Sequence, residues 1–145
     1  MARTLGDLAR EMGQLSRELP QRANAVKQQA ALAAADRLIT DTPVDTSNAE
    51  SNWQIGVGGP PIGPIPPHFL GEHGSTDQAS QNEAKALARA RILQAKPGEP
   101  VYISNEVPYI IKLDQGSSPQ APLGFTHLAL ALARSVIARL RLLRG

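Results

Sequence analysis

Apolar residues near the start of the chain recur at every third or fourth position. Leu5, Leu8, Met12, Leu15 and Leu19 fall on one stripe of a helix. Pro20 lacks the N–H that a helix interior uses, so it predicts a kink or a second helix start at that point. Residues 21–40 are rich in Ala, Gln, Arg and Leu, all good helix formers, and the helical segment is expected to span residues 1–41. Val26, Ala30 and Ala33 continue the stripe with smaller side chains, which allow a neighbouring element to approach closely. Two heptads are too few for a coiled-coil seam, so packing on a sheet or a neighbour is expected.

The periodicity then changes. Thr42-Pro43 ends the helix, and Asp45 to Asn48 are turn and cap formers. Residues 51–57 alternate, with Trp53, Ile55 and Val57 on one face, which predicts a strand anchored in the core by Trp53. Residues 56–74 hold too many glycines and prolines for a helix or a central strand. They predict an extended arm whose only grip is Ile62, Ile65, Phe69 and Leu70, either docked on another subunit or free as a flap. Ser75 and Gln78 have capping-box spacing ahead of a helix that carries Ala84, Leu87, Ala88, Arg91 and Ile92 and stops at Pro97-Gly98.

Residues 100–105 alternate again and predict a second strand. After it comes a rigid turn. Pro108 suits a first helical turn, Ile110 and Leu113 share a face, Gly116 can end the turn, and the chain leaves extended toward Pro122. Trp53, Tyr109, Ile110 and Leu113 are the expected core of this turn. The last helix, residues 125–143, places Phe125, Leu128, Leu132, Val136, Leu140 and Leu143 on one face. Leu130, Ile137 and Leu142 lie off that face, as expected of a helix buried on more than one side, so Leu130 and Ile137 join the arm as candidate inter-subunit contacts. The expected fold is a single α+β domain: a long N-terminal helix, a small antiparallel sheet with a Gly/Pro-rich arm, a middle helix and a C-terminal helix. Two strands alone are marginal in water, so the arm or a neighbouring copy is expected to complete the sheet.

Composition sharpens this picture. Hydrophobic residues make up 41% of the 145, but aromatics only 3%, so alanine and leucine must build a thin core. The net charge of +2 is too small to mark a nucleic-acid binder. The charge is uneven, however: Arg134, Arg139, Arg141 and Arg144 follow residue 124 with no acid among them. These cations suit a helix C-terminus. The alternative is a small DNA- or partner-binding module working through this basic helix. The chain has no cysteine, no run long and apolar enough to span a membrane, and no apolar segment of signal-peptide type at its start.

Candidate chemistry is sparse. His68 and His73, near Glu72 and Asp77, match no tight metal-ligand spacing, and a metal-dependent hydrolase there is the weakest of the readings considered. Gly56-Val57-Gly58-Gly59 runs into prolines rather than a helix, which excludes a phosphate loop. No cofactor and no catalytic constellation is expected.

Four pieces recur in a telling order: Thr42-Pro43-Val44-Asp45-Thr46, Ser51-Asn52-Trp53, Asn105-x-x-Pro108-Tyr109, and Leu113-Asp114-x-Gly116-x-Ser118-x-Gln120-Ala121-Pro122. Over residues 35–135 this pattern resembles the neck and tail-completion (head-tail connector) proteins of tailed bacteriophages. Ser47 stands where relatives often have glycine, and Asp114 where they often have glutamate. The resemblance implies a non-enzymatic virion protein located at the neck or top of the tail and present in the host cytoplasm during assembly. It implies a homo-oligomeric ring, commonly of six copies, that contacts the portal-adjacent head connector on one side and the tail terminator or tube on the other. Genomic DNA would pass through its lumen without sequence recognition, and no membrane would be involved.

Overall fold

A computed structural model of the chain describes residues 4–42, 48–69, 71, 75–115 and 124–140. The elements in chain order are α1 (Leu5–Asp41), α2 (Asn48–Ser51), β1 (Gln54–Val57), α3 (Asp77–Ile92), β2 (Val101–Ser104), α4 (Ile110–Asp114) and α5 (Phe125–Leu140). This is the α+β arrangement expected, with one addition. The predicted first strand begins three residues late, because Asn48–Ser51 forms a helical turn ahead of it.

Helix α1 starts at a reciprocal cap. The Asp7 N–H donates to the Thr4 hydroxyl (3.1 Å), and the Thr4 N–H donates to the Asp7 carboxylate (2.9 Å). The helix does not restart at Pro20 but runs through it as one element of 37 residues. The bond that Pro20 cannot donate belongs to the carbonyl of Ser16. Both residues are exposed, so water can replace it. Thr42 closes the helix, donating its N–H and its hydroxyl to the Leu38 carbonyl.

Burial along α1 is strongly uneven. No described residue before Ala30 is buried, whereas Ala30, Ala34, Ala35, Leu38 and Ile39 all are. The second half of α1 packs against α5 and α3. Ala35, Leu38, Ile39, Ala84, Ala88, Ile92, Phe125 and Ala129 form the core with Trp53. Eight of the fifteen buried apolar residues are alanine, so the expected thin core is what the described residues show. The side chains with the largest apolar gain are few, chiefly Phe125, Ile39 and Ile92. On α5 the buried face is Phe125, Ala129 and Val136. Leu128 and Leu140, predicted for that face, are about half exposed. Alanine replaces leucine at the contact because α1 presents alanines there and the two helices can sit close.

The sheet is antiparallel and two-stranded, pairing Gln54 with Ser104, Ile55 with Ile103, Gly56 with Tyr102 and Val57 with Val101. Helix α3 occupies the connection between the strands. Its N-cap is Thr76, one residue later than predicted, and Gln78 reaches forward to Asn82 rather than back to Ser75. Past its far end, side chains of α1 take the free carbonyls. Asn24 and Gln28 donate to Ala95 O (2.9 and 3.0 Å), and the Lys27 ammonium donates to Lys96 O (3.0 Å). A cation there also suits the negative end of the α3 dipole.

Candidate functional site

Described residues of the first three motif pieces meet around α2. Trp53 is buried, and its indole N–H donates to the Thr42 hydroxyl at 2.7 Å, joining the first piece to the second. Asn105 donates its side-chain N–H to Ala49 O (2.7 Å), and Asn48 donates to the Tyr109 hydroxyl (3.0 Å), joining the third piece to α2. Asn105 also accepts the Val107 N–H at 3.1 Å. A buried donor without a partner costs about 1–3 kcal/mol, so the buried Trp53–Thr42 bond holds these two residues together most strongly, while the Asn48–Tyr109 bond is exposed and contributes less.

The turn that follows is anchored differently from the sequence expectation. Ile110 and Leu113 pack against the core as predicted. Pro108 and Tyr109 do not: Pro108 is exposed and Tyr109 is 39% exposed. The buried anchor is Val107, whose carbonyl accepts the Ile110 N–H and closes the turn ahead of α4. Tyr109 contributes its hydroxyl rather than its ring. Gly116 and Pro122 lie outside the described residues. Asp114 ties the two sides of that gap together. Its backbone carbonyl accepts the Gly124 N–H (2.8 Å), and its carboxylate accepts the Thr126 N–H (3.0 Å) and hydroxyl (2.7 Å) at the start of α5. A carboxylate at a helix N-terminus is the favourable sign for the dipole.

The Gly/Pro-rich segment is held by its own chain, which corrects the picture of an arm gripping only through apolar side chains. Asn52, fully buried, donates to Ile65 O (2.9 Å) and accepts the Ile65 N–H (2.7 Å). Gln54 donates to Gly63 O (2.8 Å), the Gly63 N–H donates to Glu106 (3.0 Å), and the His68 N–H donates to the Ser51 hydroxyl (3.0 Å). Among its described residues, the segment beyond β1 adds no strand. Side chains serve its backbone instead, because prolines remove the donors that a ladder needs. Ile65 is half-buried, Ile62 is 95% exposed, Phe69 is 45% exposed, and Leu70 lies outside the described residues.

The buried polar residues Glu50, Ser51, Asn52 and Ser80 were not singled out from sequence for this role. The one available signal was the Ser-Asn-Trp triplet, which does not by itself say that Ser51 and Asn52 face inward. His68 is half-buried and engaged through its backbone, and His73 lies outside the described residues. Among the described residues, no three His, Cys, Asp or Glu side chains are grouped so as to hold a metal ion. No described helix is long and apolar enough to cross a membrane.

Two surfaces remain. The first is the stripe on the first half of α1, where Leu5 is 86%, Leu8 47%, Met12 63% and Leu15 43% exposed. The second is an open groove of about 600 Å³ between α1, α3 and α5. Leu32, Ala33 and Val136 give it an apolar floor, with Lys85, Arg89 and Arg139 among its charged lining residues. Leu130 and Ile137, the candidate contacts on α5, are each 47% exposed. Comparison with family models, with curated proteins and with solved structures finds no match for this chain.

Proposed function

We propose that this protein is a structural component of a tailed-bacteriophage virion, a neck or tail-completion protein that assembles into a ring, with six copies as the expected closure. In that role it catalyses nothing. Copies join head to tail through a heterologous interface, and the ring continues the DNA channel between the head connector and the tail terminator or tube. DNA crosses the lumen without sequence readout, since tight phosphate binding would oppose ejection.

The observation that carries the assembly reading is the leucine stripe of α1, which its own chain leaves exposed. An apolar patch of this kind on a small protein marks a surface that meets another macromolecule. The phage assignment rests on the ordered motif pieces. In its support, Thr42–Trp53 joins the first piece to the second, and Asn48–Tyr109 and Asn105–Ala49 tie the third to the intervening α2, which gives these pieces a framework role.

Light scattering of the purified protein, alone and with tail tubes, tests the reading. A multimer that forms or is stabilised on tubes is the expected result. A single-copy mass under both conditions, together with absence from purified virions, overturns it. Exposed Arg134 and Arg139 on α5 favour a second reading, a DNA-binding module. It requires a gel shift that weakens steeply with salt.

A further inference from the structure

The stripe and one wall of the groove belong to the same continuous helix, α1. About ten residues separate Leu19 from Gln29, ~15 Å of helix at 1.5 Å per residue. A continuous helix cannot return its first half to a groove lined by its second half. No copy can therefore cover both surfaces with its own chain.

We propose that the first half of α1 from one copy, centred on Leu8, Met12 and Leu15, docks in the α1/α3/α5 groove of the next copy. This inference rests on the ring reading and names its interface. Size and charge both agree. The groove follows α1 from Gln29 to Asp36, about two turns, and Leu8 to Leu15 is also about two turns. The apolar floor suits leucine, and the pliable thioether of Met12 suits an irregular wall.

Charge favours this occupant. Lys85 and Arg89 on α3 and Arg139 on α5 line the groove, and Asp36 is the one acid among its lining residues. Lys85 lies 3.4 Å from Asp36, while Arg89 and Arg139 make no ion pair with a described residue. On α1, at roughly 100° per residue, Asp7, Glu11 and Glu18 all fall along one flank of the leucine stripe; each already has a partner, Asp7 with Arg10 and Glu18 with Arg22 on the same helix, and such exposed pairs are weak enough for a groove cation to share. A single acidic flank beside an apolar ridge complements an apolar floor beside cations. An antiparallel two-fold pairing of stripe on stripe would instead bring two acidic flanks together and leave the groove open. Head-to-tail docking uses both surfaces of every copy and closes into a ring when the rotation per step allows.

The chain has no cysteine, so engineered pairs report without background. Full-length Met12→Cys and Ala33→Cys variants, checked for native helicity, are mixed and oxidised, with light scattering in parallel. A Met12–Ala33 cross-link between copies, with each variant alone uncross-linked, is the expected result. Reversal of one charge in Arg89→Glu should weaken association roughly tenfold, and Glu11→Arg on the same chain should restore it. An oligomer that cross-links Met12 to Met12, or gives no Met12–Ala33 product, overturns this interface and leaves the ring standing. A single-copy mass in solution and no copies in purified particles overturn the ring and the interface together.

Discussion

The side chain of Asn52 occupies the place of a missing β-strand for Ile65. It donates to the Ile65 carbonyl at 2.9 Å and accepts the Ile65 N–H at 2.7 Å, the exchange that two paired residues of an antiparallel ladder would make. One buried amide thus does for the proline-rich segment what backbone pairing cannot, since prolines on either side, Pro64 and Pro66, have no N–H to give. The path of residues 58–69 over β1 and α2 depends on this exchange.

Asn52→Ala should therefore cost about 2–4 kcal/mol, because it removes two hydrogen bonds and leaves part-buried backbone groups without partners. The urea midpoint should fall with little change in slope, and limited proteolysis should now cut within residues 58–69 while sparing α1 and α5. Unchanged protease resistance of that segment would show that its path is set by something other than Asn52.

Gly56 is the third residue of β1, and the chain beyond the strand turns back over it. A Cβ there would lie 2.0 Å from the Gly59 carbonyl oxygen and 2.8 Å from Pro61 Cδ, distances that backbone must move to relieve. Gly56→Ala should destabilise by ~2 kcal/mol or more. Gly59→Ala meets nothing within 4 Å and should change stability by less than about 0.5 kcal/mol. Thermal melts of the pair check the contrast, and equal melting temperatures would contradict this account of the turn.

Apart from the short α2, the element order was legible because each element carried its own signal. The leucine spacing of α1, the alternation around Ile55 and around Ile103, and the Pro97-Gly98 stop all rest on local chemistry. Gly98 does adopt a left-handed φ of +84°. What escaped was tertiary. The stripe from Leu5 to Leu15 has the same pattern whether the face is covered or bare, so sequence could not show that this half of α1 is left exposed. On α5 the spacing placed Leu128 on the buried face, whereas Ala129 is buried and Leu128 is 43% exposed. The close approach of α1 reverses that placement. Asn52 and Ser51 are polar residues whose burial depends on a segment that returns more than ten positions later, which no periodicity records. Thr4 and Asp7 had the spacing of a reciprocal cap, and that local signal was passed over.

Acid should loosen the start of α1 as Asp7 takes up its proton. Hydrogen bonds from the Thr4 N–H first, then from the Thr4 hydroxyl and Arg10, hold the Asp7 carboxyl below its ordinary value. A folded-state value below the unfolded one means that the cap is at full strength above about pH 3.9, the ordinary aspartate value, and is lost as pH falls through the lower folded one. The Thr4 amide resonance should follow that titration, and Asp7→Asn should abolish it. A Thr4 resonance that titrates at the ordinary aspartate value would argue against the cap.

Ile62 offers the cleanest test of what the proline-rich segment does beyond its own protomer. Its neighbours are tied down at Gly63 and Ile65, yet its side chain is 95% exposed, so a large apolar group is presented on a fixed loop. Deleting the segment would strip Asn52 and Gln54 of their partners and confuse folding with assembly. Ile62→Asp avoids this. It should leave the melting temperature within the range of ordinary surface substitutions, about 0.5 kcal/mol, because the protomer buries none of that side chain's surface to speak of. If the segment meets another subunit, burying an unpaired carboxylate there should lower particle completion strongly in a complementation assay. Full infectivity with normal stability would remove Ile62 from any interface and leave the segment a purely internal support for β1.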